Sequence, residues 1–314
     1  MKKLFSFILF FIFCSGFSQI NSNDQVVYLD SLKRIGTLDN YQYLRVVKEY
    51  HLKKDRYDVA VYYKSGKIQM RATTTNKDIL KLEGSAIYFF ENGNRKKIVN
   101  YINNKPIGKE FEWYENGKIK SEIENLQGDQ VGSEITKIIQ YWDENNIQHV
   151  VDGEGEYTEK EENYSAISKG SVKNNLKEGV WIGNSSRYKI NFTEKFMNGR
   201  LISGKSIDSL GNEINYDKII VGPIPKKGMQ HFYNHISKSF RIPNYINNTV
   251  HGTLYFTFTI KKNGEIGDIS VLNKDEFGLS EIAIKIIKNY KEWSIGYFRG
   301  IPIDQSFYLP ITLK

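Results

Sequence analysis

The sequence predicts a mainly β protein that ends in a small α+β domain. Between residues 62 and 216, short segments in which an aromatic residue precedes a glycine turn recur at a nearly constant spacing. Residues 253–260 alternate strictly between apolar and polar side chains, which is typical of a strand with one buried face. Two short segments near the C-terminus carry apolar residues at helical spacing and predict the helices of that domain.

The first 18 residues have the parts of a secretory signal peptide. The start is basic, residues 4–13 are almost wholly apolar, and the small residues Gly16 and Ser18 precede a cleavage site. An uncleaved membrane anchor is the alternative, but the apolar run is about half of the roughly 20 residues that a membrane span needs. We therefore expect cleavage before Gln19 and export to the periplasm or the outer membrane, with no membrane span in the mature chain.

Cysteine content and charge narrow the class of protein further. Cys14 is the only cysteine and lies within the predicted signal peptide, so we expect no disulfide or thiol chemistry in the mature chain. Phe13 precedes it where a lipoprotein signal needs a small residue, which argues against lipid attachment. The formal net charge is +8, but Lys and Arg are scattered among Asp and Glu. A nucleic-acid partner is therefore not expected.

The glycine turns follow an N-terminal segment, residues 19–61, in which two stretches predict strands. In each repeated unit an aromatic residue lies three positions before the turn residue. The turn residues are Gly66, Gly93, Gly117 and Asn145, separated by 27, 24 and 28 positions. Asn replaces glycine well in the left-handed conformation that a primed hairpin turn requires. A period of this length predicts an elongated array of antiparallel hairpins, each packed on its neighbours.

These units resemble MORN-type repeats, and in particular the Tyr-x-x-Gly-Lys/Asn units of the YwqK-like family. The resemblance covers about residues 62–216. We assign residues 62–220 to the repeats and the Pro- and Gly-rich residues 221–228 to a linker. The YwqK-like resemblance implies an antitoxin or immunity role in which the repeats bind a toxin. Export argues against a cytosolic antitoxin, so this role is the alternative interpretation.

Residues 229–314 predict a helix, two strands, a second helix and a final strand. In order, these are the helix 229–240, the strands 253–260 and 266–272, the helix after Ser280, and the strand 305–313. Asn263-Gly264, between the first two strands, is the strongest short hairpin signal. Ser280 is the type of residue that caps a helix, and we predict it as the N-cap of the second helix.

This layout resembles the C-terminal domain of the TonB family over about residues 228–314. The matching motifs are Ile242-Pro243 before the first strand, the hairpin at residues 262–266, Ala283 and Trp293 in the second helix, and the turn at residues 300–303. Ile295 departs from the pattern, because the family usually has Pro there. The resemblance implies a domain that engages outer-membrane transporters by pairing with a short extended segment. Whole TonB proteins also keep an N-terminal membrane helix, so we expect passive docking here rather than energy transduction.

The final predicted strand, residues 305–313, is the candidate binding site. Pro310 has no N–H to give to a ladder, so this strand should lie at a sheet edge. A free edge accepts an extended partner segment by strand addition. The residues expected to contact the partner are Ser306, Phe307, Tyr308, Leu309 and Ile311.

Candidate metal and catalytic motifs have simpler interpretations. His231 and His235 share a face of the first predicted helix, as a metal pair would, but Phe232 stands where a zinc protease motif needs Glu. The acidic, glycine-rich residues 152–156 do not fit the spacing of a calcium loop and predict a turn. The sequence contains no phosphate-binding loop and no nucleophile elbow. We therefore expect no metal, no cofactor and no catalytic residues.

The function expected from these patterns is that of an exported, non-enzymatic binding protein of the cell envelope. It would dock an outer-membrane receptor or another envelope protein by strand addition, as in TonB-dependent transport. Two alternatives stay open: an immunity protein that binds a toxin through its repeats, and an envelope hydrolase whose site one sequence does not reveal.

Overall fold

The structure is a computed structural model that describes residues 20–31, 35–36, 38–127, 134–243, 251–273, 275 and 277–313. The predicted signal peptide, residues 1–18, and the cleavage point before Gln19 lie outside the described residues. Among the helices of the described ranges, none is long and apolar enough to cross a membrane.

Within the described residues, sixteen antiparallel strands form one continuous sheet whose spatial order follows the chain. The strands are β1 (Gln25–Leu29), β2 (Tyr43–Val47), β3 (Tyr57–Tyr63), β4 (Ile68–Thr74), β5 (Gly84–Phe89), β6 (Arg95–Ile102), β7 (Lys105–Trp113), β8 (Ile119–Leu126), β9 (Ile135–Trp142), β10 (Gln148–Val151), β11 (Glu154–Glu161), β12 (Ala166–Lys173), β13 (Leu176–Ser185), β14 (Ile190–Met197), β15 (Arg200–Ile207) and β16 (Glu213–Tyr216). The prediction of a mainly β chain with consecutive hairpins is confirmed. The N-terminal segment and the repeats belong to this same sheet.

The C-terminal part contains two helices and two small sheets within the described ranges. Its elements are β17 (Ile220–Val221), α1 (Met229–Ser239), β18 (Gly252–Ile260), β19 (Ile266–Val271), α2 (Leu279–Asn289), β20 (Gly296–Phe298), β21 (Ile301–Ile303) and β22 (Gln305–Leu313). One sheet has the order β19-β18-β22 and the other β17-β20-β21. The predicted order of helices and strands is present, and the short hairpin β20–β21 is an addition to it.

The core of the C-terminal domain follows from the alternation in β18. The apolar residues of this strand are buried, and the Thr and Tyr residues between them are only partly covered. Phe232 of α1, Ile287 of α2 and Trp293 pack against the apolar face and are themselves fully buried. Burial of each such side chain contributes about 1.5–3 kcal/mol. The two helices therefore cover one face of this sheet and leave its Thr and Tyr face toward the rest of the molecule.

The start of α2 differs from the prediction. The helix begins at Leu279 with Gly278 as its N-cap, and Ser280 lies inside its first turn. The carboxylate of Asp275 accepts hydrogen bonds from the backbone N–H of Ser280 at 2.6 Å and of Phe277 at 3.2 Å. The prediction of Ser280 as the N-cap is wrong, because the preceding loop brings an aspartate to the free N–H groups of the first turn.

The repeated glycines form hairpin turns of a different type from the one predicted. Gly66, Gly93 and Gly117 have φ angles of 84°, 95° and 84°. In each turn only the glycine is left-handed, so these are type I turns followed by a left-handed residue rather than primed turns. The N–H of Gly66 donates to the carbonyl of Tyr63 at 2.8 Å, which closes the turn.

The fourth turn is shifted by one residue from the prediction. Asn146, with φ of 69°, is left-handed, whereas Asn145 is not. The N–H of Asn146 donates to the carbonyl of Asp143 at 2.9 Å, as the glycine does in the earlier turns. Asp143 thus takes the place of the aromatic residue. The prediction had placed the aromatic Trp142 at this position, one residue earlier, and had therefore taken Asn145 as the turn residue.

Tyrosines at two of the turns connect their hairpins to the next one. The hydroxyl of Tyr63 donates to the carbonyl of Phe89 at 2.8 Å, and the hydroxyl of Tyr114 donates to the carbonyl of Trp142 at 2.8 Å. Each bond reaches from one glycine turn to the strand end of the next hairpin along that rim of the sheet. These tyrosines therefore stabilise the packing of neighbouring repeats.

The long sheet is strongly curled. Lys96 on β6 and Glu162, which follows β11, form an ion pair with an N–O distance of 2.7 Å. Five strand intervals separate these residues in the sheet order, and a flat sheet would hold the strands about 24 Å apart. We call the concave side the inner face; it carries Val99, Trp181 and Glu194.

The predicted linker, residues 221–228, lies against the C-terminal domain. The N–H of Lys226 donates to the carbonyl of Glu292 at 2.7 Å, and the N–H of Ser294 donates to the carbonyl of Ile224 at 2.8 Å. β17, just before, pairs with β20. This segment is therefore part of the packed C-terminal structure.

Candidate functional site

The predicted binding strand lies at the edge of its sheet. β22 pairs with β18 along its whole length, from Gly252 opposite Leu313 to Ile260 opposite Gln305. No other strand of the described ranges pairs with β22. This is the position expected from Pro310, which has no N–H to donate to a neighbouring strand.

The backbone of Pro310 points toward the free side of β22. Its cross-strand neighbour is Tyr255. Tyr255 uses its N–H on Asn273 Oδ1 at 2.9 Å and its C=O on the N–H of Leu272 at 2.7 Å, both on the β19 side. In an antiparallel pair the two opposite residues either bond each other or both point away. The missing N–H of Pro310 therefore costs no bond within the sheet.

Along β22 the backbone N–H and C=O groups of successive residues point alternately toward β18 and away from it. This divides the predicted contact residues into two sets. Ser306 and Tyr308, like Pro310, direct their backbone groups outward, and Thr312 continues the same row. The residues whose backbone groups bond β18 are Phe307, Leu309 and Ile311. A strand added at this edge would thus find three N–H donors and four C=O acceptors along the row from Ser306 to Thr312.

An apolar groove runs beside this free edge. It has a volume of about 400 Å³ and lies between the last turns of α1 and the end of β22. Tyr233, Ile236 and Phe240 form the helix side, and Pro310 and Thr312 lie on the strand side. A partner strand would meet backbone groups at the edge and an apolar surface next to them.

The side chain of Tyr308 faces the repeat sheet. Its ring stacks on that of Tyr255 with centroids 5.9 Å apart, and the hydroxyl of Tyr255 accepts a hydrogen bond from Asn76 Nδ2 at 3.2 Å. Burial, with Tyr255 and Asp78 nearby, raises the pKa of Tyr308. The Thr and Tyr face of the domain is thus in contact with the loop that follows β4.

A buried ion cluster forms a second contact between the domain and the sheet. Arg299, at the turn of the β20–β21 hairpin, is 0% exposed. Its Nε donates to Glu194 at 2.8 Å and its Nη2 donates to Glu161 at 2.6 Å. The guanidinium also lies 3.9 Å from the ring centre of Phe192. Burial alone would lower the pKa of Arg299, but the two carboxylates outweigh it and raise the pKa.

Sequence reasoning missed this cluster because nothing local indicates it. Arg299 stands before Gly300 in a two-residue turn, a setting that normally predicts an exposed side chain. Its carboxylate partners are 105 and 138 residues away in the chain. Only the packing of the hairpin onto the inner face brings the three charges together.

The two histidines share a helix face, as predicted, and contact α2. His231 Nδ1 lies 3.1 Å from the hydroxyl of Tyr290, and His235 Nε2 lies 3.3 Å from the carbonyl of Ile286. Asp152-Gly153 forms the turn between β10 and β11. In the described part of the chain, no group of three or more His, Cys, Asp or Glu side chains is placed to hold a metal ion.

Comparison with known families matches residues 82–103 and 106–124 to the MORN repeat variant. These segments are the hairpins β5–β6 and β7–β8, so the repeat prediction is confirmed for this part of the chain. The match does not extend to residues 228–314, and the resemblance to the TonB domain remains a prediction. No curated protein matches the chain.

Proposed function

We propose that this protein is an exported binding protein of the cell envelope that accepts an extended partner segment at the free edge of β22. The observation that carries the proposal is the row of outward backbone groups from Ser306 to Thr312 beside an apolar groove. Backbone pairing supplies affinity for an extended segment, and pockets for alternate side chains supply selectivity. An outer-membrane receptor with such a segment is the partner that the TonB resemblance implies.

The position of the domain supports a docking role. The Thr and Tyr face of the domain is held against the repeat sheet by Tyr255. The β20–β21 hairpin is held there by Arg299. Among the described residues no strand pairs with the outer edge of β22, while the domain itself is fixed against the repeat sheet. We infer that the repeats act as the support and that β22 acts as the contact strand.

Hydrogen exchange tests this proposal at single residues. In the free protein the amides of Ser306, Tyr308 and Thr312 should exchange fast, while those of Phe307, Leu309 and Ile311 should be protected by β18. Addition of the partner should protect the first set only. Protection of the Tyr308 amide in the free protein would contradict the proposed edge.

Site-specific cross-linking identifies the partner. Because Cys14 is the only cysteine and lies in the predicted signal peptide, Ser306→Cys would provide a single thiol for a cross-linker in envelope extracts. Thr193→Cys, exposed on β14, is the matched control. Tyr308→Pro removes one outward N–H and should abolish the Ser306 cross-link without unfolding the domain, whereas Tyr308→Phe should retain it.

A second candidate function places the partner on the repeats. The observation that favours it is the family match at residues 82–124, since MORN repeats are often involved in binding. In this case the partner is a toxin, as the YwqK-like resemblance implies. Capture of a toxin that persists in Tyr308→Pro would favour this candidate over docking at β22.

A further inference from the structure

The repeated hairpins place one side chain each at an equivalent bulge. In the β3–β4 hairpin, Val61 opposes Met70 and Tyr62 opposes Ile68, so Gln69 is an extra residue in the ladder. The corresponding extra residues of the next three glycine-type hairpins are Lys96, Lys120 and His149. Each stands three positions after the left-handed turn residue. Bulges commonly redirect a side chain, and here a bulge recurs at the same position of each of these hairpins.

Three of these bulge residues line one cavity on the inner face. Gln69, Lys96 and Lys120 line a cavity of about 620 Å³. Because the sheet curls, Lys160 of β11 and Glu162 after it form another wall of this cavity. This volume is within the range of small-molecule sites. His149, the fourth bulge residue, does not line the cavity.

The charges around the cavity are balanced. Four Lys and four Glu line it. Every lysine is paired with a carboxylate, three with lining glutamates and Lys97 with Glu110, which lies outside the lining. The pairs are Lys96–Glu162 at 2.7 Å, Lys97–Glu110 at 2.9 Å, Lys120–Glu112 at 2.5 Å and Lys160–Glu144 at 3.9 Å. A phosphate or carboxylate ligand would have to compete with these carboxylates. The cavity therefore favours a ligand without net charge.

Aromatic rings supply the apolar part of the lining. Tyr88, Phe90 and Tyr101 border the cavity, and the hydroxyls of Tyr88 and Tyr101 lie 3.2 Å apart. The ammonium of Lys96 lies 5.7 Å from the ring centre of Phe90. Ring faces beside paired charges suit a ligand that has both C–H surfaces and many hydroxyl groups.

One buried acceptor in the lining has no donor. Gln69 is 6% exposed, and its Oε1 accepts no hydrogen bond from the described residues. A buried polar atom without a partner is unfavourable, and such atoms often mark the place of a ligand group or an ordered water. Gln69 also lines the cavity, so a rotation of its amide would present this oxygen to a hydroxyl of a bound molecule.

We propose that this cavity binds a neutral saccharide. The Gln69 amide rotates so that its Oε1 accepts a hydrogen bond from a sugar hydroxyl. Other hydroxyls bond the Lys–Glu pairs, and the C–H face of a sugar ring packs on Phe90 or Tyr88. A free sugar and the end of a longer glycan share this chemistry. The site is separate from the β22 edge, so it adds a ligand-binding role to the docking role and does not depend on it.

The test is binding of maltotriose, cellotriose and chitotriose to the full mature chain, measured by saturation-transfer NMR and calorimetry. We expect at least one of them to bind, with transfer to its ring protons. Gln69→Leu removes the acceptor at similar volume and should weaken binding by roughly five-fold or more. Phe90→Ala should weaken it as well. His149→Leu, at the equivalent bulge outside the cavity, should bind like the wild type.

Three outcomes would overturn the proposal. One is that none of the trisaccharides binds. Another is that Gln69→Leu and Phe90→Ala, shown by circular dichroism to be folded, bind as the wild type does. The third is that glucose 6-phosphate binds more tightly than the neutral sugars. Equal, weak binding by the wild type and all variants would count as the second outcome. If a trisaccharide binds and a longer glycan that contains it binds more tightly, the result would support the glycan source.

Discussion

The C-terminal domain and the repeat sheet bury very different side chains. The domain packs Phe232, Phe256 and Trp293 into an apolar core between two helices and a sheet. The inner face of the repeat sheet also buries charged groups, among them Glu110 and Glu194. The domain is stabilised mainly by apolar surface within one short stretch of chain. The sheet depends in addition on pairing between groups that are far apart in the sequence, because buried charges are tolerated only when paired.

This difference determines how each region should respond to mutation. An apolar core loses stability in proportion to the volume and area removed. A buried ion cluster loses more when a single partner is removed, since the remaining charges are left without compensation. The largest effect is therefore expected where the two regions meet.

Arg299→Ala should have the largest effect. It leaves Glu161 and Glu194 without their cation, and we expect a loss of about 3–5 kcal/mol in the free energy of unfolding. Urea unfolding followed by fluorescence and circular dichroism would measure it. Arg200→Ala, at an exposed position of β15, is the control. A loss below about 1 kcal/mol would show that the cluster does not couple the domain to the sheet.

Gly170→Val tests the packing of the inner face itself. A Cβ at Gly170 would lie 2.3 Å from Cγ of the buried Trp181. The ring would have to move, and we expect a loss of about 1–3 kcal/mol. Gly222→Val, where a Cβ meets nothing within 4 Å, is the control. Equal melting temperatures for the two variants would mean that the Trp181 contact is not tight.

Gly117→Val tests the turns of the repeats. The residue has φ of 84°, and a left-handed L-residue costs about 1–2 kcal/mol, with a β-branched one at the upper end. Gly117→Asn should cost less, because Asn tolerates this conformation, as Asn146 does in the fourth turn. Thermal unfolding would rank the variants. An unchanged melting temperature for Gly117→Val would contradict the turn geometry.

The smallest effect is expected at the start of α2. Asp275→Ala should cost about 1 kcal/mol through loss of the cap. Ser280→Ala should cost less, because the backbone N–H of Ser280 still donates to Asp275. Burial alone would raise the pKa of Asp275. Hydrogen bonds from the side chain of Ser280 and from the backbone N–H groups of Ser280 and Phe277 lower it below the ordinary value of 3.8. Since the folded pKa is depressed, the contribution is present above pH 3.8 and disappears as the pH falls through the folded pKa. Denaturation measured at neutral and acidic pH would check this, and a constant difference between wild type and Asp275→Ala would refute it.

The sequence by itself determined the features that depend on local periodicity. Alternation in residues 253–260 predicted β18, helical spacing predicted α1, and Pro310 predicted the edge position of β22. The spacing of glycines predicted the hairpins, because left-handed turns favour glycine whatever surrounds them.

The tertiary structure decided the features that depend on distant residues. The face of Tyr308 turned toward the repeats, and Arg299 met two carboxylates more than 100 residues away. The curl of the sheet also enclosed Gln69 beside residues of β11 and the loop after it. None of these contacts has a local signal, because each depends on how strongly a long sheet curls and on where the domain packs against its inner face.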